Sequence, residues 1–269
     1  MKDSPIALVT GAASGIGRHF AEALAALGYR LILVDLNEAA LEDARQAILA
    51  NSSSPPTEER VRVVVVDVAS QAAVEQMVRE LEARVSGLDL LVNCAGILGA
   101  GAFHEQPLTT FSRVIQVNLM GTVHVTHACL PWLQCAGGHV VNMASSASLH
   151  GWPMLAAYSA AKGAVENYSE AVRPELKRLG VGLTTVFPLL VDTPMLQKQK
   201  TAPILRGRRV TAEEVVRASL AGVKHRAARV FVPFTARLVA LLHGIAPPVL
   251  DWWGARAGLP RHPKSAVSP

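Results

Sequence analysis

Short apolar runs alternate with longer stretches of helical spacing from the start of the chain to about position 190. Ile6-Ala7-Leu8-Val9, bounded by Pro5 and a glycine-rich turn, predicts a buried first strand. Gly15 to Leu27 follows with Ile16, Phe20, Ala23, Leu24 and Leu27 at helical spacing, and Gly28 marks its end. Arg30 to Val34, the β-branched run Val61 to Val66, Leu88 to Val92, His139 to Met143 and Leu183 to Phe187 read as further strands. Between them Leu41 to Leu49, Ala72 to Val85, Phe111 to Leu133 and Ala156 to Leu179 read as helices, with a polar loop over Asn51 to Pro56. This alternation predicts an α/β fold with one doubly wound parallel sheet in three α/β/α layers, a single domain over 1–269. Right-handed crossovers then bring the carboxyl ends of the strands to one rim, where ligands bind.

After Pro188 the pattern changes. The stretch at about 189–209 is irregular, contains Pro194, Pro203 and Gly207, and reads as a substrate flap. Thr211-Ala212-Glu213-Glu214 carries a capping-box pattern into a helix over Val215 to Val223, and Arg229 to Pro233 reads as a last strand. A basic and apolar extension occupies about 234–269.

Composition narrows the class. Half of the 269 residues are hydrophobic and 17% are charged, which permits a large core and argues against disorder. Twenty-six Lys and Arg against 21 Asp and Glu give a net charge of +5, with much of the excess late in the chain. No aromatic-interleaved basic strand or recognition helix accompanies it, so nucleic acid is not expected as a partner. Cys94, Cys129 and Cys135 have no paired spacing, the polar start Met1 to Pro5 is unlike a signal peptide, and a cytoplasmic location is expected. The longest candidate span, Leu238 to Leu250, is interrupted by His243, Gly244, Pro247 and Pro248 and falls short of the ~18 apolar residues of a membrane helix.

The chemistry-bearing residues fall at the strand ends. Thr10 to Gly17 links the first strand to the first helix: Gly11 for the tight turn, Gly15 for close approach of backbone to a pyrophosphate, Gly17 for helix–strand packing. Ser14, Ile16 and their neighbours then offer amides at the positive end of the helix dipole. Asp35, followed by Leu36, ends the second strand, where a carboxylate can accept both ribose hydroxyls of NAD and would repel the extra phosphate of NADP. Tyr158 and Lys162 are four apart on one helix face, and a neighbouring ammonium favours a phenolate. Ser145, at the end of the preceding strand, is within reach of a substrate oxygen.

These features together resemble the short-chain dehydrogenase/reductase family, from about Ile6 to Met195. The matching positions are Thr10 to Gly17, Asp67-Val68, Asn93 with Ala95 and Gly96, Asn118, Ser145, Tyr158-Ser159-Ala160-Ala161-Lys162, and Pro188 with Val191, Thr193 and Pro194. The resemblance implies a Rossmann fold and hydride transfer between NAD and a small alcohol or ketone, with NADP the less favoured cofactor. It implies Tyr158 as general acid/base, Lys162 lowering its pKa and holding the nicotinamide ribose, Ser145 orienting the reacting oxygen, and Asn118 supporting Lys162 through water. It implies Asp67 and Val68 at the adenine, and Val191 with Thr193 at the carboxamide. A homodimer or homotetramer through the two long helices is also implied. Three positions depart from the pattern: Cys94, read as a buried filler, replaces an Asn, Ala144 a frequent Ser, and Leu189 a frequent Gly.

The expected substrate pocket comprises Ser145, His150, Trp152, Met154, Tyr158, Leu190 and Met195, with Ile97, Leu98 and Leu155; its apolar walls point to a hydrophobic alcohol. Two other functions compete: an NADP-dependent carbonyl reductase, and a dinucleotide-binding regulator without catalysis. His124 and His127 lack partners at ligand spacing, so no metal is expected. The tail from Thr235 to Trp253 fits three roles: a lid, a subunit contact, or a weak peripheral contact with a membrane.

Overall fold

A computed structural model describes residues 4–51, 60–197 and 209–258. Seven parallel strands form one sheet in the order β3-β2-β1-β4-β5-β6-β7. They are β1 (Ile6–Thr10), β2 (Arg30–Asp35), β3 (Val61–Val65), β4 (Leu90–Asn93), β5 (His139–Met143), β6 (Gly182–Pro188) and β7 (Arg229–Val232). Side chains alternate across a strand, so each strand feeds two cores. Ala7, Val9, Leu31 and Leu33 pack against Phe20 and Leu24 of α1 (Gly15–Ala26), Leu41 of α2 (Glu38–Ala50) and Val215 of α9 (Ala212–Lys224). Ile6, Leu8, Ile32 and Val34 face the other way, onto Val74 and Met77 of α3 (Gln71–Leu81) and Leu176 of α7 (Ala156–Arg178). Burying each such leucine contributes about 1.5–3 kcal/mol. The capping box at the start of α9 forms as expected, with Thr211 and Glu214 each bonding the other's backbone N–H.

The helix expected over Phe111 to Leu133 is four pieces instead: α4 (Leu108–Ile115), a π turn over Gln116–Met120, α5 (Gly121–Ala128) and α6 (Leu130–Ala136). Pro131 explains the second break, because it lacks the N–H that would continue the ladder and is tolerated only in a first turn. The π turn adds one residue to the helix and turns Asn118 inward. The tail folds as α10 (Arg237–Ile245) and α11 (Pro247–Gly258), with Pro247 as the first residue of the latter. Most of the polar loop expected over Asn51 to Pro56, the middle of the expected flap and the residues after 258 lie outside the described residues. The flap opens on the short α8 (Pro194–Gln197), and its two described ends are joined: Val191 bridges Val210, Val210 donates to Leu190, and Arg209 pairs with Asp192 at 2.8 Å.

Strand order reverses between β1 and β4, each continuing toward its own edge of the sheet. Loops leaving the carboxyl ends of these two strands diverge, which opens a crevice there.

Candidate active site

The crevice is a cavity of about 450 Å³. Its floor at the β1 end is the glycine loop. Gly11, at φ +68°, approaches β4 so closely that a Cβ would stand 2.8 Å from the Ala95 N, and one on Gly17 would stand 2.2 Å from the Gly11 O. Thr10 fixes the same junction through its hydroxyl, which accepts from the backbone N–H of Cys94 and of Ala95. Ser14 caps α1 in extended backbone with no side-chain bond to the first amides, leaving those donors directed at the crevice. Asp35 lies in the wall beside them; its carboxylate accepts from the N–H groups of Ala13, Leu36 and Asn37. The first amides of α1 and a carboxylate beside them fit a dinucleotide, phosphates at the helix start and a ribose at Asp35. Residues able to hold it are Gly11, Ser14, Gly15, Ile16, Gly17 and Asp35, then Pro188, Val191 and Thr193, all lining the cavity. Thr193 packs its methyl where a Cβ on Gly15 would lie 3.2 Å away, so the start of the flap meets the glycine loop.

Asn118, Ser145, Tyr158 and Lys162 line the same cavity. Ser145 ends β5's outgoing loop, and its hydroxyl accepts from the Ala147 N–H at 3.1 Å. Lys162 is buried on α7 and donates to the Met143 carbonyl at 2.6 Å. Asn118 donates to the carbonyls of Ile97 and Val114 and accepts from the Ile97 N–H. That bonding clamps the loop after β4 against the π turn. Gly96 has no room for a side chain there, since a Cβ would stand 2.4 Å from the Asn118 Oδ1.

Burial sets the charges. It pushes the Lys162 ammonium down to about 8, opposed by Cys94, and pushes the Cys94 thiol up to about 12, so Cys94 stays a thiol at neutral pH. Burial also raises the Tyr158 phenol above its usual 10, while the hydrogen bond from Ser145 pulls it back. The lowering by Lys162 that the sequence leads one to expect does not dominate: the ammonium sits 5.9 Å from the ring centroid and is tied to Met143.

Several expected residues stand outside the cavity wall. Asn93 is buried and donates to Thr126 and Asn142, holding β4 to β5 and α5. Asp67 is engaged by Arg113 at 2.9 Å, and Val68 packs against Gly121. Ala95 and Gly96 serve the loop geometry described above, and Leu36 is exposed. His124 bonds the Val68 carbonyl through Nδ1. Of the expected pocket, Trp152, Leu190 and Met195 line the cavity, with Leu98 and Leu155. His150 and Met154 do not; His150 is buried behind Trp152, edge-on to it at 4.7 Å. Sequence reasoning missed Leu196 and above all Trp253, which reaches the cavity from α11 and stacks edge-on against Trp152 at 5.1 Å. The Trp252-Trp253 pair in an apolar tail was the available signal.

Known proteins share this sequence pattern and fold. The family model described as short chain dehydrogenase matches residues 5–203. An uncharacterized oxidoreductase of Staphylococcus saprophyticus is 33% identical over 191 residues, 71% of this chain and 80% of that protein. A short-chain dehydrogenase/reductase from Burkholderia phymatum, solved in complex with NAD, is 27% identical with a TM-score of 0.80, covering 92% of this chain and 95% of its own. A short-chain dehydrogenase from Sphingobium yanoikuyae, solved with NADPH, gives 27% and 0.77 over the same shares. With three quarters of its length inside the family and its site built at the family's strand ends, this chain belongs to the short-chain dehydrogenases, NAD(P)-binding oxidoreductases on a Rossmann fold.

Proposed function

We propose that this protein interconverts an apolar secondary alcohol and its ketone, with NAD as the preferred cofactor and Tyr158 as general acid/base. The observation that carries this reading is convergence: Tyr158, Ser145, Lys162 and Asn118 open on the same cavity as the glycine loop and Asp35. A nicotinamide held by these residues would supply or take up the hydride. The protein does the rest. Ser145 hydrogen-bonds the reacting oxygen, and Tyr158 gives that oxygen its proton during reduction or takes it during oxidation. A phenol held above 10 by burial is protonated at neutral pH, ready as a donor. Oxidation needs the phenolate, which the Lys162 ammonium favours from the same helix face. Asn118 fixes the loop against which Lys162 is packed.

Asp35 supports NAD over NADP, because a 2′-phosphate would meet its carboxylate. Arg18, the cation nearest in sequence to the loop, does not offset this charge, since it is tied to Glu22 at 3.1 Å and Asp43 at 2.6 Å. The NADPH-bound neighbour keeps an NADP-dependent carbonyl reductase as the second reading. Leu98, Trp152, Leu155, Leu190, Met195 and Trp253 supply the apolar wall that supports a hydrophobic substrate. Fluorescence titration with NADH beside NADPH is expected to give at least about tenfold tighter binding of NADH. On a panel of apolar secondary alcohols, Tyr158→Phe is expected to keep cofactor affinity and lose roughly a thousandfold in kcat. Tighter NADPH binding would favour the second reading. Turnover surviving in the variant would refute the role given to Tyr158, and a wild type inert on the whole panel would leave a non-catalytic binder.

A further inference from the structure

The C-terminal helix pair has two faces. Its inner face closes the cavity: Leu250 is buried with Leu98, Trp152 and Leu155, and Trp253 reaches the wall. Gly254 allows the close approach, since a Cβ there would touch Pro153 and Trp152 at 3.4 and 3.5 Å. The outer face is apolar and exposed. Leu241, Leu242, Ile245, Val249 and Trp252 carry it, with Ile245 82% and Trp252 60% accessible. A contiguous apolar surface of this kind marks a docking site rather than ordinary surface.

Charge identifies the occupant. Among the described residues from 234 onward, Arg237 and Arg256 outnumber Asp251, and the sequence beyond them adds Arg261 and Lys264. Asp251 lies 3.8 Å from the buried His150 and is otherwise exposed. The two arginines among the described residues lie over aromatic rings, Arg256 over Trp252 at 4.6 Å and Arg237 over Phe234 at 5.8 Å. Aromatic rings at headgroup depth, arginine stems along apolar surface and a net positive charge are the chemistry of an anionic lipid interface. A second copy docking face to face would bring Arg237 and Arg256 of both copies into one apolar contact, since an isologous contact pairs each patch with itself.

We propose that α10 and α11 dock this protein on anionic membrane surfaces through Leu241, Ile245 and Trp252, with Arg237 and Arg256 at the phosphates. Docking in this way would bring the cavity's helical cover to the lipid, where an apolar alcohol dissolves; that consequence alone rests on the proposed function.

Flotation of the full-length protein tests the docking without using turnover. Vesicles of phosphatidylcholine mixed with phosphatidylglycerol are expected to carry the protein upward, and vesicles of phosphatidylcholine alone are expected to leave it below. The double variant Leu241→Glu, Ile245→Glu is expected to lower the bound fraction at least about tenfold with thermal stability kept. Arg256→Gln, which leaves the apolar face intact, is expected to lower it about fivefold. Protein left below by every vesicle, equal binding to both lipid compositions, or undiminished flotation of the double variant would each overturn the proposal. A double variant that sediments as a smaller species than the wild type would reassign the face to a second copy.

Discussion

At the scale of single residues, the site holds a charge that folding does not favour. Lys162 is buried with one hydrogen bond, to Met143, and its value falls from 10.5 to about 8. Between pH 8 and 10.5 the unfolded chain keeps a proton that the folded chain has shed, so this group's contribution to stability rises with pH across that window. Below pH 8 it costs about 3 kcal/mol. Lys162→Met is therefore expected to stabilise the protein at pH 7, by about 2 kcal/mol after losing the bond to Met143. The advantage is expected to shrink as pH rises from 8 toward 10, with catalysis abolished throughout. Urea denaturation of both proteins at pH 7, 8.5 and 10 checks it. A difference that stays constant with pH would mean that the ammonium carries no such penalty.

At the scale of elements, periodicity located every strand, because a buried parallel strand must be a short apolar run and seven of them had to be found between helices. It misplaced the helical interruptions. Pro131 was visible in the chain, yet the apolar spacing from Phe111 to Leu133 continued through it; the π turn at Asn118 leaves no local mark and is held by contacts to Ile97 and Val114. A pairing invisible in sequence also joins β5 to β6. His139 Nε2 lies 2.8 Å from the Thr184 hydroxyl, which donates to the Ala227 carbonyl. The hydroxyl must therefore accept from His139, which fixes the neutral tautomer with the proton on Nε2. Burial and the nearby Arg226 push His139 down to about 4. Because the folded value is depressed, stability is full above 6.5 and falls as pH drops toward 4, by about 2 kcal/mol at pH 5. His139→Asn is expected to flatten the acid limb of the stability profile between pH 7 and 5. Identical slopes for the two proteins would show that the ring protonates without cost in the fold.

At the scale of the whole molecule, the glycine loop, Asp35 and the positions Pro188, Val191 and Thr193 of the cavity wall were legible because they are consecutive or sit at strand ends that the alternation dictates, whereas Leu36, Asp67, Val68, Asn93, Ala95 and Gly96, expected beside them, stand outside the wall. The apolar wall was legible only in part: Leu98 after β4, Trp152 before α7 and Leu190 and Met195 in the flap line it as expected, whereas Trp253 near the end of α11 was missed, because that wall is assembled from segments far apart in sequence. His150 and Met154 lie beside Trp152 in sequence and fall behind the wall, so adjacency was no guide. Trp253 makes the consequence testable. Its ring contacts Trp152 and the cavity but none of Asn118, Ser145, Tyr158 or Lys162 is bonded to it, so it contributes the same contact before and at the transition state. Removing such a contact raises KM and leaves kcat. Trp253→Ala is expected to raise KM for a long apolar alcohol about tenfold, with kcat within about twofold of wild type. The shortest alcohols, which leave the Trp152 end of the cavity unfilled, are expected to show no change. An unchanged KM across the series would mean that the C-terminal helices do not close the substrate cavity, and a fall in kcat alone would make Trp253 a positioning residue for the chemistry.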